Sequence, residues 1–403
     1  MEIEVNRVIQ AGIGIGLALV TAMSLGQARL SADGQHQAAL ALEQQGKNDE
    51  AEMAWRNFLQ AHPANAEAYA HLGLLEARRE HYREAVSFYR KALELNHAFP
   101  ALRLNLGLAL FKAGRLKEAM QQFKSQLNSE PPSSPEAQRL SILLGMSHYG
   151  LGEYPDAVPY LKRAAARDPQ NLGVRLALAH SCLWSRQYQC VMEVYHQILM
   201  LNSESAEADM LAGEALDELK DPRGAIQQFR AAVKADPKEP NVHFGLAYLL
   251  WSQRIYPEAV SEFQAELAND PNHVQAMMHL GDTFLQLDKP AEARPWLEKT
   301  IKLDPSQALA HLDLGILFSD AGQNEMALAE LQTAEKLKAD DVDVHWRLGR
   351  LYRSMGRKGE AKAEFDKASN LHKAVNEALI QKMSGGRQHL PADPATPSAQ
   401  PPE

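Results

Sequence analysis

A period of 34 residues runs through this chain from Ala32 to Val375, and it limits the possible fold more than any other feature. The stretch Pro100 to Ser133 shows the unit. Leu106, Gly107 and Leu110 fall on one face of a first short amphipathic segment, and Ala119, Phe123 and Leu127 on one face of a second. Ala113-Gly114-Arg115 joins the two, and Pro131 stops the second. Helices this short cannot bury their apolar faces alone, so each unit needs a neighbour to stack on.

With Pro100 as position 1, units begin at Ala32, Ala66, Pro100, Gln138, Leu172, Ala206, Pro240, Val274, Ala308 and Val342. Units one to three take residues 32–133 and units four to ten take 138–375. The four extra residues, 134–137, are read as an insertion loop. Position 20 is alanine throughout, except for Val191. A small residue there lets the second helix press on the first. Position 8 is glycine in seven units, among them Gly73, Gly107, Gly145 and Gly349. Glycine inside a helix costs about 0.5–1 kcal/mol against alanine, so its recurrence implies a packing gain. Position 24 carries a large plug, such as Trp55, Phe123, Leu161 and Phe263. Position 32 carries Pro63, Pro131, Pro169, Pro237, Pro271 and Pro305, each ending a second helix.

This pattern resembles the tetratricopeptide repeat, most clearly in Leu106-Gly107 and Leu144-Gly145, Ala119 and Ala157, Phe123 and Leu161, and Pro131 and Pro169. The resemblance implies an all-α fold, an α-solenoid of helix pairs stacked into a right-handed superhelix. It also implies a concave groove lined by first helices, and a role in holding other proteins. The fifth unit departs from the pattern with Ala179, Val191 and Ser203, and the first with Gln35, Ala38 and Ala39, as an end cap should. Coming after Pro131-Pro132-Ser133-Ser134-Pro135, the weak fifth unit suggests a bend or loose joint.

The two ends differ from the middle. From Val8 to Ala28 no residue is charged, Arg7 precedes the run, and Gly26-Gln27-Ala28 offers a small-x-small cleavage pattern. Residues 1–28 therefore read as a secretory signal peptide or, uncleaved, a membrane anchor, although Glu2 and Glu4 are unusual in a leader. Export to the periplasm of a bacterium-like cell is the expectation, with a cytoplasmic protein as the alternative. Near the other end Val375, Leu379 and Met383 suggest a closing helix over 376–384. Residues 385–403, rich in proline and small residues, read as disordered.

Chemistry is sparse. The formal net charge of −9 disfavours a general nucleic-acid binder. No phosphate loop, HExxH, GxSxG or paired CxxC is present, and Gly12, Gly14 and Gly16 do not form GxGxxG. No cofactor, metal or catalytic residue is expected, and an enzyme is disfavoured. Among the 15 histidines, His243, His311 and His345 share position 4, but they occupy the seventh, ninth and tenth units. Only the last two are neighbours, and two ligands make a poor metal site. Cys182 and Cys190 are the only cysteines. They can bridge the fifth unit's helices across its turn, or remain two separate thiols.

The groove is the better place for function. If positions 4, 7, 8 and 11 pack within a pair, positions 2, 5, 9 and 12 form the adjacent stripe facing the hollow. The third unit then offers Leu104, Leu108 and Phe111, and the fourth Ile142, Met146 and Tyr149. The fifth and sixth add Leu176, Leu183 and Met210, and the seventh Phe244, Tyr248 and Trp251. Met278, Leu285, Leu312, Ile316 and Trp346 continue the row. A third to a half of these are expected to pack on the next unit. Arg350 and Arg353 share the stripe with Trp346 and suit an anionic chain end. The lysine and asparagine clamp that some relatives use on chain termini is absent, its positions holding Ala70, Leu104, Ile142, Leu74, Leu108 and Met146. The expected partner is a peptide or helix of another protein, with no nucleic acid. A scaffold or assembly factor of the cell envelope is the first functional reading, and a regulatory subunit beside a separate enzyme the second.

Overall fold

The computed structural model describes residues 31–98 and 101–385. The readings made for residues 1–28 and 386–403 lie outside them. The described residues form 20 helices and no strand. They pair in order: α1 (Ala32–Gln44) with α2 (Asn48–Ala61), α3 (Ala66–Arg78) with α4 (Tyr82–Leu95), and α5 (Leu102–Lys112) with α6 (Leu116–Leu127). Then come α7 (Pro135–Gly150) with α8 (Tyr154–Arg167), α9 (Leu172–Trp184) with α10 (Tyr188–Leu199), and α11 (Ala206–Glu218), followed by α12 (Pro222–Ala235). The last eight helices are α13 (Val242–Ser252) with α14 (Tyr256–Asn269) and α15 (Val274–Gln286) with α16 (Pro290–Leu303). After them come α17 (Ala308–Asp320) with α18 (Asn324–Leu337) and α19 (Val342–Ser354) with α20 (Lys358–Gly385). The fold is an all-α solenoid. It divides into two compact units, Met1–Ala225 and Ile226–Glu403.

Within every repeat the turn is three residues long, and its middle residue, at position 15, is left-handed, with φ from 57° to 76°. Five of these are glycines: Gly46, Gly114, Gly152, Gly322 and Gly356. The other five are Glu80, Arg186, Lys220, Arg254 and Asp288. The residue after it donates to a carbonyl five positions back, as Arg115 does to Leu110 at 2.8 Å and Ile255 to Leu250 at 2.8 Å. That bond satisfies a carbonyl the helix end would otherwise orphan and fixes the reversal of the chain.

The core repeats with the same period. Position 20 is wholly buried from Ala51 through Ala119 and Ala259 to Ala327, and Val191 is buried as well. The position 24 plugs Trp55, Phe123, Leu161, Phe263 and Leu297 have no exposed surface, while Phe365 in the last repeat is half-buried. Position 8 faces the plug of its own repeat. A Cβ added at Gly73 would stand 2.6 Å from the Tyr89 ring, at Gly145 2.8 Å from Leu161, and at Gly315 2.6 Å from Leu331. Glycine recurs there because the plug occupies the space of its missing side chain.

Two boundary expectations are corrected. Residues 134–137 are not a loop, because three of them add a turn to the front of α7. Ser134 Oγ accepts from the Ala137 amide at 3.0 Å and Pro135 takes the first helical position, where its missing N–H costs nothing. Residues 376–384 are not a separate closing helix either. They continue α20, which runs unbroken for 28 residues because no proline or internal cap interrupts it. Val375, expected to be covered, is 62% exposed.

Candidate functional site

In the unit ending at Ala225, the predicted stripe lies on α5, α7, α9 and α11. Leu104, Leu108 and Phe111 lean on the core formed with the second repeat, and Ile142, Met146, Tyr149 and Leu176 on the core of the fourth and fifth. These seven and Met210 are half-buried, whereas Leu183 is buried and offers nothing to a partner. Position 13 adds a residue that the stripe pattern misses. Trp184, 63% exposed, stacks on Tyr154 at 5.9 Å, and Tyr154 meets Tyr149 at 5.9 Å. Two residues before it, Cys182 is disulfide-bonded to Cys190, with Cα atoms 5.9 Å apart, tying α9 to α10 across their turn.

In the unit that starts at Ile226, the stripe is more aromatic and more charged. Tyr248 on α13 and Trp346 on α19 are each 41% exposed, Phe244, Trp251 and Ile316 are half-buried, and Met278 and Leu312 are buried. Phe244 and Trp251 flank Tyr248 at 6.2 and 5.5 Å. The His279 ring fills the space behind them, 5.3 Å from Tyr248, 4.8 Å from Trp251 and 6.0 Å from Phe263. Burial there pushes its pKa down to about 4. Trp251 Nε1 donates to Asp282 Oδ2, and Gln286 Nε2 donates to Asp282 Oδ1 at 3.1 Å. Burial raises the Asp282 carboxyl against those two hydrogen bonds. Asp313 on α17 is raised well above the carboxylate range by burial and by the charge of Asp282, opposed only by Arg347. Sequence reading passed over these acids because it sought apolar residues: Asp282 stands at position 9 of the stripe itself, and Asp313 beside the stripe at position 6.

Trp346 carries two guanidinium groups over its ring, Arg347 at 5.4 Å and Arg350 at 4.9 Å. Arg353, predicted to join them, instead lies over Phe365 at 5.6 Å. The arginine pair at the stripe is therefore Arg347 and Arg350.

The position 4 histidines have partners that spacing alone did not reveal. His243, His311 and His345 each meet a glutamate 19 residues later, Glu262, Glu330 and Glu364, at 2.6 Å through Nδ1. Nε2 of His311 and His345 reaches back to the carbonyls of Pro305 and Ala339 at 3.0 and 2.9 Å. Each of these two rings joins its own second helix to the preceding turn, so they are fastenings between repeats. Among the described residues two groups have spacing suited to a metal ion: His148 with Glu153 and Asp156, and His345 with Glu335 and Glu364. In the second, Lys367 Nζ already lies 3.0 Å from Glu335 and 2.9 Å from Glu364. In the first, His148 is buried, Glu153 half-buried and Asp156 exposed, and His148 Nδ1 already lies 2.8 Å from Glu153 Oε2.

Comparison with known proteins agrees with the repeat frame. Tetratricopeptide repeat profiles match residues 36–101, 193–240, 210–273, 244–308 and 312–370, and a second profile of that description matches 74–141 and 148–215. The chain is similar to BBSome complex member BBS4 of Bos taurus, at 24% identity over 59% of this chain and 47% of that protein. It is also similar to human DnaJ homolog subfamily C member 3, at 23% identity over 47% of this chain and 33% of that one. The chain thus spans less than half the length of these curated relatives. A crystal structure of a tetratricopeptide repeat protein from Parabacteroides merdae is 18% identical, covering 66% of this chain and 97% of that one with a TM-score of 0.47. With the profiles matching well over half of the sequence, and with six helix pairs among the described residues repeating one glycine-and-plug contact, this chain belongs to the tetratricopeptide repeat family.

Proposed function

We propose that the chain is a non-catalytic scaffold that holds an extended or helical segment of another protein against its first helices. One observation carries this reading: among the described residues the exposed aromatics are Trp184, Tyr248 and Trp346, and the last two, each 41% exposed, stand on the same stripe of their repeats. Exposed aromatics beside arginine are what interfaces favour, and half-buried apolar neighbours exclude water around them. Affinity purification with Tyr248→Ala plus Trp346→Ala tests it. A partner lost with the pair supports the stripe, and a partner retained in full removes it.

We also propose export, with the scaffold facing the periplasm. The uncharged run from Val8 to Ala28 and the Cys182–Cys190 bridge support this reading, since disulfides persist mainly in oxidising compartments. Amino-terminal sequencing of the mature protein tests it; a soluble cytoplasmic protein beginning at Met1 would count against it. A second reading, a regulatory subunit beside a separate enzyme or transport complex, draws support from the relative named as a BBSome complex member. Stoichiometric copurification of an enzyme would favour that reading.

A further inference from the structure

The stripe on α13, α15 and α17 holds buried polar groups whose hydrogen bonds or charge are not fully met, the carboxyls of Asp282 and Asp313 and the imidazole of His279, whose Nδ1 accepts when the proton sits on Nε2. Asp313 Oδ2 and His279 Nδ1 are both buried with no hydrogen-bond partner, in residues 4% and 8% exposed. Asp282, 5% exposed, has both oxygens engaged by neutral donors, Trp251 Nε1 and Gln286 Nε2, so its charge is unpaired. The cation whose charge acts on Asp313, Arg347, rests over the Trp346 ring. A buried acceptor without a donor costs about 1–3 kcal/mol, and more when charged, so native folds keep few of them. Around this set stand the rings of Tyr248 and Trp251, whose faces attract cations.

We propose that this position receives a cationic side chain, the ammonium or guanidinium of a lysine or arginine in the partner segment. The charged head would lie against Asp313 and Asp282, with the aliphatic stem along Tyr248. His279, neutral, would supply a lone pair to one of the donor hydrogens. The inference rests on the stripe being the partner-binding face. Its chemistry is the reverse of the lysine and asparagine clamp that the sequence lacks: here the protein brings the carboxylates and the partner brings the cation.

The test uses the full chain and two fluorescein-labelled dodecapeptides, one alternating leucine with lysine and one alternating leucine with glutamate. Fluorescence polarisation should show the lysine peptide binding at least tenfold more tightly. Asp313→Asn combined with Asp282→Asn should remove that preference while leaving the melting temperature equal or higher, because a buried uncompensated charge is gone. Equal binding of both peptides, still lost on Tyr248→Ala plus Trp346→Ala, overturns the cation site and leaves the stripe standing. No binding of either peptide up to 1 mM overturns both. A preference that survives the double asparagine variant overturns the assignment to these two carboxylates. Displacement of the lysine peptide by equimolar spermidine or magnesium chloride would show that a free cation, and not a partner side chain, is the ligand.

Discussion

Gly107 and Phe123 occupy one another's space: a Cβ built on Gly107 would stand 2.5 Å from Phe123 Cε1. Phe123 has no exposed surface, so the ring cannot swing outward without opening the core between α5 and α6. The same relation links Gly349 to Phe365 at 2.7 Å. Gly107→Ala gains about 0.5–1 kcal/mol of helix propensity but incurs overpacking of about 1–3 kcal/mol. The expected result is net destabilisation by about 1–2 kcal/mol, read as a lower urea midpoint. In Gly349→Ala the loss should be smaller, because Phe365 is half-buried in the last repeat and has room to yield.

Five of the turns within repeats hold a non-glycine residue in the left-handed region, Arg254 among them at φ 60°. A Cβ there costs about 1–2 kcal/mol relative to glycine. Arg254→Gly should therefore raise stability by about 1 kcal/mol, while Gly322→Ala, at φ 71°, should lower it by a similar amount. Equal midpoints for both variants and the parent would contradict the turn geometry.

His345 holds two oxygens at once, Glu364 Oε2 at 2.6 Å and the Ala339 carbonyl at 2.9 Å, and is buried. Removing it leaves the mostly buried Glu364 with only Lys367 as a partner. His345→Ala should cost about 2–4 kcal/mol, and His243→Ala less, because His243 is more exposed and has only the contact to Glu262. Chemical denaturation of both variants distinguishes these values.

His279 gives acid sensitivity a definite sign. Its folded pKa of about 4 lies below the ordinary imidazole value of about 6.5, so between those limits the unfolded chain binds more protons. Its stabilising contribution is complete above about pH 6.5 and is lost as pH falls toward 4, by up to about 3 kcal/mol in total. Asp282 and Asp313 act oppositely: their raised pKa values give a contribution that is present at low pH and lost as pH rises. His279→Leu should therefore flatten or invert the stability-against-pH slope between pH 4.5 and 6.5. An unchanged slope in urea midpoints would contradict the burial of a neutral ring.

Periodicity revealed the frame because position 8, 20 and 24 residues have one job in every repeat, and that job constrains residue type. It did not reveal the turn conformation at position 15, where glutamate, arginine, lysine and aspartate stand in for glycine and mask the pattern. It also took Ser134-Pro135-Glu136 for loop, although a serine cap followed by proline and an acid is a helix start. The stripe was legible as a row of apolar positions. Which members face outward was not, because Met278 and Leu312 are buried while Tyr248 and Trp346 stay exposed, and sequence type alone does not separate them. Asp282 and Asp313 escaped notice because a buried acid and a solvated one look alike in sequence.

Crosslinking from single positions tests most directly whether partners bind the first helices. A photoreactive phenylalanine analogue is placed in turn at Tyr248 and Trp346 on first helices, and at the exposed Met53 and Met326 on second helices, in cells that express the chain naturally. Adducts of one partner protein from positions 248 and 346, with none from 53 and 326, are the predicted result. The same partner captured equally from Met53 or Met326, or captured only from them, would contradict the account.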